Sequence, residues 1–187
     1  MKVLWSTPDL VLRALEDRDI PLLARWRSDR RVMDSYAVLR GRVSAAQVRS
    51  LFFRDARSRD PATGRFYEYR SCIVEERGTP VAFVQYHRLR TSDAQLLGRP
   101  SDEHSYEVDL FVGEPELWGK GLGSKIIALT RDHLRSHRGA VRIVAVPYAD
   151  NARSIRAFEK AGFRRARTLP GAYAAQGRGD GVLMEFP

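Results

Sequence analysis

A glycine-rich turn between a predicted strand and a predicted helix constrains this chain more than any other feature. Residues 107–112 alternate like a strand, and from Gly121 to about His137 apolar residues recur at helical spacing. A turn of this kind exposes successive main-chain N–H groups at a helix N-terminus, where they attract an anion. The turn consists of Trp118, Gly119, Lys120, Gly121, Leu122, Gly123, Ser124 and Lys125. Strand, turn and helix together predict an α/β protein with a phosphate-binding site.

Two common phosphate-binding motifs do not explain this turn. In a P-loop counted from Gly113, Trp118 would stand at the position of the second glycine. The dinucleotide fingerprint requires Gly-x-Gly-x-x-Gly, whereas the three glycines here are each two residues apart. The P-loop motif therefore fails, and the dinucleotide fingerprint matches only weakly.

The rest of the chain is predicted to alternate between strands and helices. Apolar patterning predicts strands at residues 10–15, 69–75, 80–89, 141–146, 164–169 and 182–186. It predicts helices at residues 17–26, after Val43 with Ser44 as N-cap, and from residue 150 or 151 to residue 161. Residues 91–105 are polar and irregular, which fits either a surface loop or an insertion that faces the substrate.

Composition narrows the class of protein. The chain has 187 residues, of which 43% are hydrophobic, so we expect a single domain over residues 1–187. Its net charge of +9 comes mostly from arginines scattered along the whole chain, which argues against a dedicated nucleic-acid-binding arm. No apolar run resembles a signal peptide or approaches a membrane span, and the one cysteine, Cys72, lies in an apolar strand. We therefore expect a cytoplasmic protein without a nucleic-acid or membrane partner.

The glycine-rich turn resembles the pyrophosphate loop of the GNAT superfamily of acetyltransferases. That loop usually reads Gln or Arg, two residues, Gly, one residue, and then Gly or Ala. Gly121 and Gly123 occupy the two glycine positions, whereas Trp118 stands where Gln or Arg is usual. The departure concerns one side-chain contact and leaves the main-chain anion site intact.

A second block, residues 151–163, is similar to the other signature of that superfamily. It reads Asn-Ala-Arg-Ser-Ile-Arg-Ala-Phe-Glu-Lys-Ala-Gly-Phe, which matches an asparagine-capped helix ending in Glu-Lys-x-Gly-Phe. Alone, this block would be an ordinary amphipathic helix with a glycine cap. Because both signatures occur in the right order, the chain is identified as a member of the superfamily.

The resemblance implies a mixed α/β GNAT fold, a central sheet flanked by helices, with acetyl-CoA as the cofactor. Asn151 would bind the pantetheine arm, and the main chain of residues 110–112 would pair with it like an added strand. Ser154 and Phe158 would lie beside the thioester. The implied cofactor-binding residues are Leu110, Phe111, Val112, Trp118, Gly119, Lys120, Gly121, Leu122, Gly123, Ser124, Asn151, Ser154 and Phe158.

Two carboxylates are predicted to share one face of the strand at residues 107–112. The period of two places Glu107, Asp109 and Phe111 together, with the carboxylates about 7 Å apart by strand rise. Such a pair can bind a cationic amine, and Asp109 can take the proton that the amine must lose before it attacks a thioester. The alternative is a pair of solvent-facing residues near a sheet edge.

Within the superfamily, residues 10–163 most resemble the aminoglycoside 6′-N-acetyltransferases. The similar parts are Leu23-Ala24-Arg25-Trp26, Gly78-Thr79-Pro80-Val81 and the ten-residue interval from Asp109 to Gly119. The resemblance implies direct acetyl transfer to an aminoglycoside amine, with Asp109 as the catalytic residue. The implied substrate-binding residues are Tyr36, Gln85, Glu107 and Asp109.

Other positions depart from the aminoglycoside enzymes or leave alternatives open. Phe158 replaces a tyrosine proposed to protonate the departing thiolate, a task left to water or to Tyr148, and Val146 replaces an acidic residue. Asp102 and Glu103 fit either a rim for a cationic substrate or a solvated loop, and His87 is interpreted as a polar residue at the sheet surface. No metal is implied. A siderophore precursor or a protein N-terminus as acceptor, a non-catalytic acyl-CoA-binding module, and a monomer or a homodimer all remain open.

Overall fold

One mixed sheet of eight strands forms the centre of the described structure. The computed structural model describes residues 1–36, 43–53, 58–59, 66–67, 69–89, 104–177 and 179–187. The sheet has the order β1-β2-β5-β6-β7-β8-β10-β9, and β3 pairs with β4 separately. The strands are β1 (Val3–Ser6), β2 (Leu10–Ala14), β3 (Ser58–Arg59), β4 (Phe66–Tyr67), β5 (Tyr69–Glu76), β6 (Thr79–Arg88), β7 (Ser105–Val112), β8 (Arg142–Ala145), β9 (Arg164–Leu169) and β10 (Gly181–Phe186).

Helices cover both faces of this sheet. The first face packs against the first three helices through a cluster that includes Leu23, Trp26, Phe83 and Phe111. The second face packs against the last two through a cluster that includes Val108, Ile126 and Phe158. The helices are α1 (Ile20–Ser28), α2 (Arg30–Tyr36), α3 (Ala45–Phe52), α4 (Leu122–Arg138) and α5 (Ala152–Lys160). This arrangement confirms the expected mixed α/β fold.

Most predicted elements are confirmed, several with their predicted ends. Ser44 caps α3 and forms a capping box with Gln47, as its position before the apolar stripe indicates. Strand β1 and helix α2 were not predicted, because four residues and seven residues give too short a pattern to detect. β7 begins at Ser105, inside the stretch expected to be irregular, and residues 91–103 of that stretch lie outside the described residues.

The sheet splits between β7 and β8, its only parallel pair among the described strands. Their pairing runs only from Ser105 opposite Arg142 to Glu107 opposite Val144, although β7 continues to Val112. Pro147 follows the end of β8, and its carbonyl accepts a hydrogen bond from Val182 at the start of β10. The chain therefore turns away from β7, and the last residues of β7 have no strand beside them on that side.

A buried ion network fixes the beginning of the first helical region to the sheet. The Arg13 guanidinium donates to both oxygens of Asp19 at 2.7 and 2.8 Å and to Glu75 at 2.6 Å. Arg13 is only 1% exposed, and its two partners hold the pKa of its guanidinium above the usual value. A buried arginine is tolerated here because two carboxylates compensate its charge.

Candidate active site

Two cavities lie on opposite faces of the sheet and meet at the split between β7 and β8. The first, of about 280 Å³, is lined by the glycine-rich turn and α5, and we call it the turn-side cavity. The second, of about 370 Å³, is lined by Glu107, Asp109 and residues of α1 and α2, and we call it the carboxylate-side cavity. The residues that line both are Leu110, Asn151, Ser154 and Phe158. A molecule that extends through the split can therefore reach both faces.

The turn presents open main chain to the turn-side cavity. Gly119 and Gly121 have φ of 76° and 83°, values that glycine adopts without strain. Gly121 is the N-cap of α4 and has no side chain to cap it, and no atom lies within 4 Å of where a Cβ would be at either glycine. The first N–H groups of a 17-residue helix are thus accessible to an anion.

Cationic side chains line the same cavity. Arg153, Arg156 and Lys160 of α5 all contribute to its wall. The Arg153 guanidinium lies 3.9 Å from the centre of the Trp118 ring, a cation–π distance, and the Trp118 indole N–H donates to the Val112 carbonyl at 3.0 Å. A guanidinium therefore stands beside the position where GNAT proteins usually carry Gln or Arg, although residue 118 itself is tryptophan.

Two of the residues expected to bind the cofactor do not line the turn-side cavity. Lys120 is exposed, and Leu122 is 6% exposed and packs in the core under α4. The Leu122 side chain packs into the apolar core and thereby fixes the position of the turn. The other cofactor-binding candidates on the turn, Trp118, Gly119, Gly121, Gly123 and Ser124, do line the cavity.

Asn151 and its helix connect the two cavities. The Asn151 side-chain oxygen accepts a hydrogen bond from the Ser154 main-chain N–H at 3.0 Å, which caps α5. Ser154 and Phe158 follow at helical spacing on the side of α5 that faces β7. The capping bond thereby sets where Ser154 and Phe158 stand relative to Leu110.

The predicted alternation along β7 is confirmed. Phe111 packs against Trp26 and Phe83 on the side of the first three helices, whereas Val108 belongs to the core on the opposite side. Glu107 and Asp109 share the face of Phe111 and line the carboxylate-side cavity. β7 lies inside the sheet between β6 and β8, and its pairing with β8 ends at Glu107, so Asp109 lies beside the split.

The cavity environment changes the acidity of Asp109. Burial raises the pKa of the Asp109 carboxyl above its ordinary value, because desolvation disfavours the charged form, and nearby His87 opposes this change. Across the β6–β7 pairing, Gln85 lies opposite Asp109 and His87 lies opposite Glu107. A carboxylate with a raised pKa is better matched to accepting a proton near neutral pH.

His87 corrects the sequence interpretation. It was expected at the sheet surface, but it is 5% exposed, and its Nε2 lies 3.5 Å from a Glu107 carboxylate oxygen. The Tyr69 ring covers it at 4.4 Å. The polarity of His87 suggested exposure, but Tyr69, its neighbour across the β5–β6 pairing, shields it from solvent.

Three tyrosines complete the carboxylate-side cavity. The Tyr36 ring stands edge-on to Phe111 at 4.8 Å, and burial together with the Asp109 charge raises the pKa of the Tyr36 hydroxyl well above its ordinary value. Tyr148 and Tyr173 contact each other at 4.4 Å, and the Tyr173 hydroxyl donates to the Val146 carbonyl. Gln85 also lines the cavity, and its amide donates to Ser71 at 3.0 Å.

Sequence reasoning missed several polar lining residues, among them Arg27, Arg153, Arg156, Lys160 and Tyr173. Arg27 could have been noticed, because helical spacing places it beside Leu23 on the buried side of α1. Arg153 lies within the recognised second block without being singled out. Tyr173 follows a predicted strand in a stretch without periodicity, so no signal marked it.

Some expected features concern absences or residues outside the described ranges. Asp102 and Glu103, the suggested acidic rim, lie outside the described residues. Within the residues that are described, no three His, Cys, Asp or Glu side chains cluster as a metal site would require. Over the same ranges, every helix is too short or too polar to cross a bilayer.

Comparison with known proteins assigns the family. Residues 9–164 match the Acetyltransferase (GNAT) domain. The chain belongs to the GNAT acetyltransferases. It is accordingly an N-acetyltransferase that uses acetyl-CoA, as both signatures implied.

Curated relatives of this GNAT protein include aminoglycoside N(6′)-acetyltransferase type 1 from Klebsiella pneumoniae and its counterpart from Serratia marcescens. Each is 23% identical over 178 residues, covering 92% of this chain and 85% of the relative. Similar folds are found in aminoglycoside acetyltransferase AAC(6′)-Ib in complex with coenzyme A and kanamycin, with 22% identity and TM-score 0.72 over 95% of this chain and 94% of that one. Spermidine N-acetyltransferase from Vibrio cholerae, in complex with CoA and spermine, has 20% identity and TM-score 0.73 over 96% of each chain.

Proposed function

We propose that this GNAT protein acetylates an amino group of an aminoglycoside, of the 6′-N type, at the junction of its two cavities. The observation that carries the proposal is the placement of Asp109, a carboxylate of raised pKa that lines the acceptor side of the split next to Glu107. The names of the curated relatives support the aminoglycoside as acceptor.

The residues of the turn-side cavity fit acetyl-CoA. The uncapped N-terminus of α4 and the side chains of Arg153, Arg156 and Lys160 would hold its phosphates. The unpaired side of β7 at residues 110–112 would pair with the pantetheine arm, and Asn151 would bind one of its amides. When bound, acetyl-CoA supplies an acetyl group activated as a thioester.

Asp109 would prepare the amine for attack. The acceptor would enter as an ammonium ion, bound electrostatically by Glu107 and Asp109, and would lose a proton to Asp109 directly or through water. The amine nitrogen then forms a bond to the acetyl carbon while the carbon–sulfur bond breaks. A main-chain N–H group of β7 would stabilise the negative charge on the acetyl oxygen during the transfer.

The departing thiolate needs a proton, and Phe158 has none to give. Tyr148 lines the carboxylate-side cavity, and Ser154 lines both cavities, so two hydroxyl groups stand near the junction. We assign the proton transfer to Tyr148, with water as the alternative source, since a simple thiol has a pKa near 8.5 and protonation is not demanding.

Release of the CoA thiol with kanamycin, tobramycin, an N-hydroxylysine and short peptides tests this function. Turnover should favour the aminoglycosides and should be lost in Asp109→Asn. Asp132→Asn is the matched control, because Asp132 is half-buried on α4, outside both cavities, and bonds only Arg131 among the contacts described. Turnover of the peptides or of N-hydroxylysine in preference to aminoglycosides would refute the proposed acceptor.

A further inference from the structure

An arginine in the carboxylate-side cavity has no compensating carboxylate among the residues that the structure describes. Arg27 of α1 is 3% exposed and lines the cavity together with Tyr36 and Phe52. Its guanidinium lies 5.4 Å from the centre of the Phe52 ring. Within the described residues it forms neither an ion pair nor a hydrogen bond, and its buried Nε is without a partner.

Such a group is costly unless something binds it. Arginine stays protonated in proteins, and a buried charge that lacks both an ion-pair partner and hydrogen bonds destabilises the fold. Arg13, the other buried arginine in the part of the chain that the structure describes, is compensated by two carboxylates. Arg27 has no such partner in the described ranges, which indicates that its guanidinium is kept available for a ligand.

The carboxylate-side cavity thus has charges of opposite sign in its wall. Glu107 and Asp109 contribute negative charge beside the split, and Arg27 contributes positive charge from α1. Neither carboxylate bonds the guanidinium in the described structure. A molecule complementary to this wall carries an ammonium group at one point and an anionic group at another.

We propose that Arg27 binds a carboxylate on the acceptor, so that the enzyme also acetylates amines that bear a carboxylate. The inference rests on the proposed function only in taking Asp109 as the place where the amine loses its proton. It goes beyond aminoglycosides, whose neutral hydroxyl oxygens could accept from the same guanidinium but less strongly. A single guanidinium matches the single charge of a carboxylate and its two oxygens, to which it can donate in parallel.

The experiment compares ω-amino acids with four to eight carbons with their uncharged amides, which differ only at the group that would face Arg27. In the wild-type enzyme, kcat/KM for the acid of fitting length should exceed that for its amide about tenfold or more. Arg27→Met keeps the length of the side chain and should abolish the preference, and Arg27→Lys should keep part of it. Arg25→Met is the control, because Arg25 is exposed on the same helix and pairs with Glu114. Equal rates for acid and amide at every length, or a preference that persists in Arg27→Met, would overturn the proposal.

Two further measurements keep this result independent of turnover. Titration of the N-acetylated products in the presence of CoA should show tighter binding of the acid than of the amide, and the difference should vanish in Arg27→Met. The melting temperature of Arg27→Met should equal or exceed that of the wild type, because the change removes an uncompensated charge. A lower melting temperature combined with unchanged acid binding would make Arg27 a structural residue.

The two proposals fail separately. Kanamycin turnover without any preference for carboxylates would contradict the role of Arg27 and leave the aminoglycoside function standing. A preference for carboxylates without kanamycin turnover would support the role of Arg27 and refute the aminoglycoside function.

Discussion

The two cavities differ in the kind of groups that build them. The turn-side cavity is built mainly from two continuous segments, the turn at 117–124 and the helix at 151–160, and the end of β7 at 110–112 and Ile127 complete its wall. The carboxylate-side cavity gathers side chains from α1, α2, α3, β6, β7 and the segment at 145–173. A chain can thus keep the first cavity through two short motifs, whereas the second depends on how distant segments pack. The comparison teaches that the shared cofactor and the particular acceptor are recognised by separately built parts.

The largest expected effect is on kcat, and it comes from a change at Asp109 that should affect the carboxylate-side cavity alone. Asp109→Asn should lower kcat by about 10²–10⁴-fold, because a general base typically contributes that much. Acetyl-CoA affinity should change little, since Asp109 is not among the residues of the turn-side cavity. Steady-state kinetics and calorimetric titration with acetyl-CoA measure the two effects. Equal losses in both would mean that the cavities are not independent.

A change in the glycine-rich turn should affect acetyl-CoA affinity and not kcat. Gly121→Ala places a side chain on a residue with φ of 83° at the start of α4, which disturbs the N–H groups proposed to hold phosphate. We expect acetyl-CoA affinity to fall about tenfold, the equivalent of ~1.4 kcal/mol, with little change in kcat at saturation.

Gly78→Ala is the matched control for that change. Gly78 has φ of 81° in the turn between β5 and β6, and a Cβ there meets no atom within 4 Å. Gly78→Ala should lower the free energy of unfolding about as much as Gly121→Ala does, because both glycines have positive φ. Its affinity for acetyl-CoA should stay unchanged. If both variants weaken acetyl-CoA binding equally, the turn has no special role.

Tyr148 should show a smaller effect. Tyr148→Phe removes the hydroxyl proposed to protonate the thiolate, and we expect kcat to fall less than tenfold because water can replace it. Tyr173→Phe is the comparison, since the Tyr173 hydroxyl is already engaged by the Val146 carbonyl. Rapid-mixing measurement of thiol release in both variants tests the assignment, and an unchanged rate in Tyr148→Phe refutes it.

The smallest expected effect is on stability. Because burial raises the pKa of Asp109 above its unfolded value, its contribution to stability is greatest at low pH and declines as pH rises. At neutral pH the ionised carboxylate therefore costs stability, and Asp109→Asn should melt a few degrees higher than the wild type. Thermal unfolding followed by circular dichroism checks this, and a lower melting temperature would contradict the burial of an unfavourable charge.

The sequence predicted the parts that are built from continuous segments better than the parts that distant segments build together. Continuous patterns predicted most of the strands, Ser44 and Asn151 as caps, and the glycine turn before α4, because caps and turns are encoded within a few residues. The face shared by Glu107 and Asp109 also followed from the period of a strand. Arg27 escaped notice because its role depends on which residues surround it in three dimensions, and none of those that the structure describes is a carboxylate paired with it. His87 was misplaced because its burial depends on Tyr69, which only the pairing of β5 with β6 brings beside it.

The central claim is that Asp109 accepts the proton of the amine, and the pH dependence of kcat tests it most directly. Since the raised pKa means that Asp109 gains its proton at a higher pH than an ordinary aspartate, kcat should fall about tenfold per pH unit on the acidic side. The midpoint of this fall should lie at a pH above the ordinary pKa of an aspartate. The fall should be absent from the residual activity of Asp109→Asn. An acidic limb that persists unchanged in Asp109→Asn would assign the proton transfer to another group and contradict the account.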